Sequence, residues 1–233
     1  MYSPYFFLEY FSELYKPEKD WLFEKLLWKL QSGNHLTLIA DQGWGIQDYV
    51  NELIFHLTEK NPDIKTCLVD IRPAHTSSSI LDLLALAFQD QFPRETSTME
   101  IEKGSLKILS MPGQIARKSK VKVVVFFANS HLFKRLPDYH IFLRTMKSRL
   151  RNQRNCVFCF YGNNCPFFRD LFDSNGPLSG LGLVFHLIHN PLKHRASSIR
   201  KLFHDHKKHI GHSTSIRMSY SVDNHPFYLR LLA

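Results

Sequence analysis

The sequence predicts an α/β fold: a three-layer α/β/α sandwich around a mostly parallel sheet of five strands, followed by a small helical segment. Three observations predict it. Short apolar runs alternate with helix-like segments along the chain, the order that builds βαβ crossovers. A glycine turn, Gly43-Trp44-Gly45, separates the first apolar run from the helix-like segment after it. Val121 to Ala128 is almost continuously apolar, as a strand covered on both faces must be.

The elements follow in order. Glu18 to Gln31 reads as an amphipathic helix, with Trp21, Leu22, Leu26, Trp28 and Leu30 as its apolar positions and Gly33-Asn34 as its stop. Leu36 to Ala40 is a first buried strand. Gln47 to Lys60 is a helix that Asn61-Pro62 ends. Ile64 to Ile71 is a second strand, and Ser78 to Phe92 a helix with Ser77 or Ser78 as N-cap. Residues 93–119 read as a helix between polar loops. Val121 to Ala128, Asn155 to Gly162 and Leu181 to Ile188 supply three more strands, with a basic helix from Asp138 to Arg151 between the first two. From Ala196 onward the chain reads helical and polar. The division expected is residues 1–195 as the α/β domain and 196–233 as a partial helical lid.

Composition bounds the function. At 233 residues, 44% hydrophobic and 22% charged, the chain has room for a sizeable core. No apolar run approaches the roughly 18 residues of a membrane span, so no membrane role is expected. Met1 to Phe11 is aromatic-rich but lacks the basic start and cleavage site of a signal peptide. Four cysteines in a chain this long do not make a disulfide framework, and a reducing cytoplasm is the expected location. Cys156 and Cys159 have CxxC spacing, but three positions along a strand point to opposite faces, which is wrong for shared metal ligation.

The net charge is +9. Basic residues concentrate at Arg117 to Lys122, Lys134-Arg135, Arg144 to Arg154 and Lys193 to Lys208. Such a surplus favours polyanions, either nucleic acid or an acidic partner. No basic segment is interleaved with aromatics of the kind that stack single-stranded bases. Seven of the thirteen histidines fall between His186 and His212. His204-Asp205-His206-Lys207-Lys208-His209 brings imidazoles within one helical turn, but Lys207 and Lys208 add repulsive charge and no zinc spacing is present. A solvated basic helix is the reading, and no metal is expected.

Strand, glycine turn, helix is the layout of a phosphate-binding P-loop. That pattern wants Gly, four residues, then Gly-Lys-Ser/Thr. Here the run is Ala40, four residues, Gly45, Ile46, Gln47. The turn is present and its reactive side chains are replaced. Ligands of parallel sheets sit at the carboxyl ends of the strands. That placement gathers Asp41 to Asp48, Asn129 to His131 and Gly162 to Asn164 on one edge.

With the glycine turn, further motifs occur in a shared order: Leu68-Val69-Asp70, Phe160-Tyr161-Gly162-Asn163, Gly176-Pro177-Leu178-Ser179-Gly180, and Asn224-His225-Pro226-Phe227-Tyr228-Leu229. In this the chain resembles the P-loop ATPases of the AAA+/STAND kind, in particular the archaeal-type ATPase family. The resemblance implies a nucleotide site built from Gly43, Trp44, Gly45, Ile46, Gln47, Asp48, Asn129 and Asn163. The last run looks like the family's Gly-His-Pro-Tyr-Tyr-Leu motif, which leads into a winged-helix domain.

The departures from that family carry the functional expectation. Ile46 stands where the family has the Lys that reaches the phosphates, and Gln47 stands where a Ser/Thr hydroxyl holds Mg²⁺. Ala128 and Asn129 occupy the acidic pair's positions, and neither can act as a general base. Leu181 stands where the family continues with Arg. Asn163 (or Asn164) is the retained strand-end polar residue. Asp48, in the first helical turn, is expected to stand in for the missing anion. Trp44 is expected to plug the pocket or to face a partner.

The expected function is a degenerate, hydrolysis-incompetent ATPase-like module that binds a protein or nucleic-acid partner. No cofactor is expected in that reading. The alternative is a regulatory module with weak ATP or ADP affinity through the glycine turn. A third reading, an ATPase completed by a neighbouring subunit's cation, is opposed by the missing acidic pair.

Overall fold

The computed structural model describes residues 21–41, 45–187, 196, 199–200, 203–204 and 207–221. The elements are α1 (Trp21–Gln31), β1 (Leu36–Ala40), α2 (Ile46–Lys60), β2 (Ile64–Asp70), α3 (Ser77–Gln91), α4 (Pro93–Thr96) and α5 (Met111–Ser119). They continue with β3 (Lys122–Ala128), α6 (Tyr139–Leu150), β4 (Cys156–Asn163), α7 (Pro166–Asp170), β5 (Leu183–Leu187) and α8 (His212–Ser221). Short 3-10 turns span Leu106–Ser110 and Ser130–Arg135. The ambiguous stretch 93–119 therefore resolves into two helices and a 3-10 turn rather than one helix.

The five strands form one sheet in the order β2-β3-β4-β1-β5. All four pairings are parallel. Strand burial follows that order. The central strands β3, β4 and β1 are buried along nearly their whole length, which is why they read as unbroken apolar runs. The outer strands β2 and β5 alternate or face solvent.

The period-two geometry of the strands divides the core into two layers. Val123, Val125, Phe127, Phe158 and Phe160 join the helices α3, α5 and α6 on one face. Leu36, Leu38, Val124, Phe126, Val157 and Tyr161 join α1 and α2 on the other. Phe127 and Phe160, cross-strand neighbours, stack with centroids 5.0 Å apart. Cys156 faces the first layer and Cys159 the second, so the CxxC spacing divides across the sheet. Burial pushes the thiols of Cys67 and Cys156 up to about 12 and that of Cys159 higher still. Cys165, just before α7, is half-buried.

The N-cap of one helix differs from the sequence reading, and a second helix starts at Tyr139, one residue after the Asp138 expected. The N-cap of α3 is Thr76, not Ser77 or Ser78: its hydroxyl accepts from the Ser79 N–H, and the Ser79 hydroxyl accepts from the Thr76 N–H. Four consecutive hydroxyl residues make the sequence degenerate at this point. Asp138 precedes α6 but its side chain does not cap it; the carboxylate accepts a 2.5 Å hydrogen bond from Ser77 instead. The bond ties the start of α3 to the start of α6.

The lid assigned to 196–233 is described only in part, as scattered residues and α8. His204 and His209 lie with ring centroids 5.6 Å apart. Asp205, His206 and the Asn224 to Leu229 run lie outside the described residues.

Candidate functional site

The carboxyl ends of β1, β2, β3 and β4 converge on one edge of the sheet, where the strand order places β1 between β4 and β5. Asp41 leaves β1, Asp70 ends β2, Asn129 leaves β3, and Asn163 ends β4 with Asn164 just after it. Gly45 opens α2 beside them. Its φ of 87° lies in the left-handed region that glycine adopts without strain. Gly43 and Trp44 lie outside the described residues, so the structure places neither.

Ile46, at the position of the phosphate-binding Lys, is half-buried and packs against the second core layer. Its side chain adds apolar contact where the family adds charge. Gln47, at the Mg²⁺-hydroxyl position, is held at both ends. Its Oε1 accepts from the Tyr161 hydroxyl at 2.9 Å, and its Nε2 donates to Asn51 Oδ1 at 3.1 Å. Burial raises the Tyr161 phenol, only partly offset by the bond to Gln47, so it remains a neutral donor. Asp48 is exposed on the first turn of α2, and its Oδ2 lies 4.0 Å from where a Cβ on Gly45 would sit. A carboxylate there is favoured by the N-terminal end of the helix dipole.

At the end of β3, Ala128 is buried with no polar group to offer. Asn129 adopts a left-handed conformation, φ 60° and ψ 32°. Its amide donates to Asp70 Oδ1 at 3.0 Å. Asp70 is the residue that the candidate set left out. Its Oδ1 also accepts from the Arg72 backbone N–H at 3.0 Å, and its Oδ2 from Arg72 Nε at 2.6 Å. Partial burial alone would raise the Asp70 carboxyl. The side-chain and backbone bonds from Arg72, the Asn129 amide and the Arg72 charge outweigh it and hold the carboxyl below its ordinary range. The signal was present in the sequence as Asp70-Ile71-Arg72, a strand-end carboxylate two residues before a cation.

The end of β4 is shaped by His131. Its Nδ1 accepts the Asn163 backbone N–H at 3.2 Å. A Cβ on Gly162 would stand 2.7 Å from that same nitrogen, so the close approach requires glycine. Burial, with the charges of Lys134 and Arg135, lowers the His131 imidazole below its usual range and keeps it a neutral acceptor. Asn164 donates from its side chain to Asp41 Oδ1 at 2.8 Å and from its backbone to the Ala40 carbonyl at 2.6 Å. These bonds tie β4 to β1. The Asn163 side chain is half-buried and has no hydrogen-bond partner among the described residues.

The structure therefore brings Gly45, Gln47, Asp48, Asn129 and Asn163 to one edge, and turns Ile46 toward the core. Among these residues none offers the Lys ammonium or the Ser/Thr hydroxyl that the resemblance implies for a magnesium nucleotide. A magnesium ion needs hard oxygen ligands in near-octahedral geometry. Asp41 directly follows β1 and Asp48 stands on the first turn of α2, so carboxylates bracket the glycine turn in sequence, and like charge there opposes phosphate.

Comparison with protein-family models and with curated proteins gives no match. Solved structures do match in fold. The Walker-type ATPase of Pyrococcus abyssi superposes with a TM-score of 0.64 at 14% identity, over 88% of this chain and 64% of that one. The ORC1 protein of Aeropyrum pernix in complex with DNA gives 0.57 at 13% identity, over 82% and 49%. The ORC2 protein of the same organism, in its ADPNP-ADP complexes, gives 0.56 at 13%, over 80% and 50%. The chain spans about half to under two-thirds of the length of these proteins. What they share with it is the α/β fold of Walker-type ATPases.

Proposed function

We propose that this chain is a degenerate, hydrolysis-incompetent ATPase-like module that acts by binding a macromolecular partner. One observation carries the reading. Each position that should serve phosphoryl transfer holds a side chain committed elsewhere: Ile46 to the core, Gln47 to Tyr161 and Asn51, Ala128 to the core, Asn129 to Asp70. Electrostatic stabilisation dominates phosphoryl transfer, and the cation, the metal ligand and the general base are lost together. The solved structure of the similarly folded ORC1 protein in complex with DNA supports a nucleic-acid partner, as does the basic charge of the chain. The proposed cytoplasmic location rests on the cysteine usage; separately, no helix among the described residues is long and apolar enough to cross a membrane.

The second reading, a regulatory module with weak nucleotide affinity, is favoured by Gly45. Its left-handed turn opens α2 toward the strand-end edge, and backbone N–H groups at a helix start bind phosphate without any side chain. The similarly folded ORC2 protein is known in ADPNP-ADP complexes. Calorimetric titration with ATP, ADP and Mg²⁺, paired with a phosphate-release assay, separates the readings. The proposal expects no phosphate release and no heat at millimolar nucleotide. Saturable binding tighter than about 100 μM, roughly −5.5 kcal/mol, without release supports the regulatory module. Phosphate release overturns both.

A further inference from the structure

At the opposite edge of the sheet from the strand ends, a cavity of about 650 Å³ opens between α6 and the Gly176 turn. The topology fixes its place. α6 runs into the start of β4 and the turn runs into the start of β5, so both lie toward the amino ends of the strands. Among the described residues its lining includes Arg144, Lys147, Arg151 and Ser179, and no carboxylate. From 139 to 169 the sequence has no Asp or Glu at all.

We propose that this groove seats the phosphate backbone of a nucleic-acid duplex, independently of base sequence. Arg144, Lys147 and Arg151 follow one another at three- and four-residue spacing, so one face of α6 presents a row of three cations spanning about 10 Å. Guanidinium forks suit phosphate oxygens in bidentate contact. The remaining lining is made of small hydroxyls, side-chain amides, glycine and proline, which serve phosphate and sugar contacts. Among the described residues it offers no large apolar or aromatic anchor around which a protein interface concentrates its energy. Nor do the described lining residues supply the aromatic platform that single-strand binders use.

The groove is built rather than incidental. Lys147 Nζ donates to Ser179 Oγ at 3.2 Å, joining its two walls. Gly176 has no room for a side chain, because a Cβ would stand 2.2 Å from the Asp170 carbonyl oxygen. The turn is held by backbone bonds from Leu178 to Leu171 and from Ser179 to Gly176, at 2.8 and 3.1 Å. Pro177 in that turn is buried.

The inference deepens the binding-module reading by naming a site and a ligand class, and its test is independent of nucleotide. A fluorescein-labelled 20-base-pair duplex of arbitrary sequence is titrated with the full chain across a salt series, with polyglutamate and the matching single strand as competitors. The comparison variants are Arg144→Ala/Arg151→Ala, which keeps the Lys147–Ser179 bond, and Lys60→Ala/Lys65→Ala on other surfaces. The expected result is a loss of at least about tenfold in affinity for the first variant. Its log-affinity against log-salt slope should flatten by about two, close to 0.9 per phosphate contact removed. The Lys60/Lys65 variant, with the same charge change, should lose clearly less. Equal losses in the two variants, an unchanged affinity in the first, or competition by polyglutamate or single strand as strong as by unlabelled duplex would each overturn the proposal. Nucleotide hydrolysis would overturn the function proposed above and leave this result standing.

Discussion

The Tyr161 hydroxyl donates to Gln47 Oε1 across 2.9 Å, bonding the last residues of β4 to the first turn of α2. In a phosphate-binding turn this helix start is left open for the ligand; here a phenol from the sheet reaches it. Tyr161→Phe removes the bond and leaves Gln47 Oε1, on an already exposed residue, to water. The expected loss is about 1 kcal/mol, at the scale of one net hydrogen bond. Urea unfolding of the two proteins measures it, and identical midpoints would show that the bond holds nothing.

Restoring the two missing side chains should not restore an enzyme. In Ile46→Lys/Gln47→Thr the new Lys displaces an apolar contact with the core, and Tyr161 loses its acceptor. Stability should fall by about 1–3 kcal/mol. Phosphate release should stay at background, because Ala128 and Asn129 still supply no base. Turnover in this variant would show that the strand-end substitutions are not disabling.

Asp48 sits at the third position of α2, next to Gly45. If it serves as the anion of this helix start, Asp48→Ala should cost about 0.3–1 kcal/mol in low salt. The cost should shrink in high salt, where the dipole interaction is screened. Thermal unfolding at two ionic strengths tests it; no change at either removes the role.

Acid should weaken the fold before the carboxylates titrate. His35 Nδ1 accepts the Phe158 N–H at 3.1 Å as His131 Nδ1 accepts that of Asn163, so two neutral imidazoles extend the bonding of β4. Burial lowers both, with the Lys134 and Arg135 charges adding to it at His131. The unfolded chain takes up these protons near pH 6.5. Between there and the lower folded values, the unfolded state binds more protons. Stability is therefore complete above about pH 6.5 and is lost as pH falls through the folded values. Asp70, held low by Arg72, adds a second loss only below about pH 4. Melting temperatures from pH 7.5 to 5 should decline, and His35→Gln/His131→Gln should flatten the decline. An equal slope in that variant would assign the effect elsewhere.

Two glycines of one turn should respond differently to alanine. At Gly176 the added Cβ meets the Asp170 and Leu171 carbonyl oxygens at 2.2 and 2.4 Å, which are backbone atoms that give way only with the turn. At Gly180 the space is open and only the positive φ of 65° opposes the change. Gly180→Ala should cost about 1 kcal/mol, and Gly176→Ala as much as about 1–3 kcal/mol. Denaturant midpoints rank them; the reverse order would contradict the close approach.

The sheet was legible because its central strands are buried on both faces. Val123 to Ala128 and Cys156 to Tyr161 leave no polar interruption, and the parallel order follows from the helices between them. The capping of α3 was not, because Thr76, Ser77, Ser78 and Ser79 are equally good hydroxyls and only the extended backbone at Thr76 selects one. Within the site, sequence placed Gln47 and Asn129 but not what they bond. Tyr161 and Asp70 reach them from strands far along the chain, and no local pattern encodes that meeting.

The four cysteines differ in what can reach them. Cys67, Cys156 and Cys159 are sealed in the core as neutral thiols, while Cys165 is half-buried immediately after Asn164. A thiol-directed dye is therefore steered toward Cys165 in the folded protein, since the other three thiols are buried and held neutral. That position adjoins the strand-end edge. The native chain thus carries its own spectroscopic handle at the place where a ligand or partner would make itself felt, with no engineered cysteine and no competing label in the core.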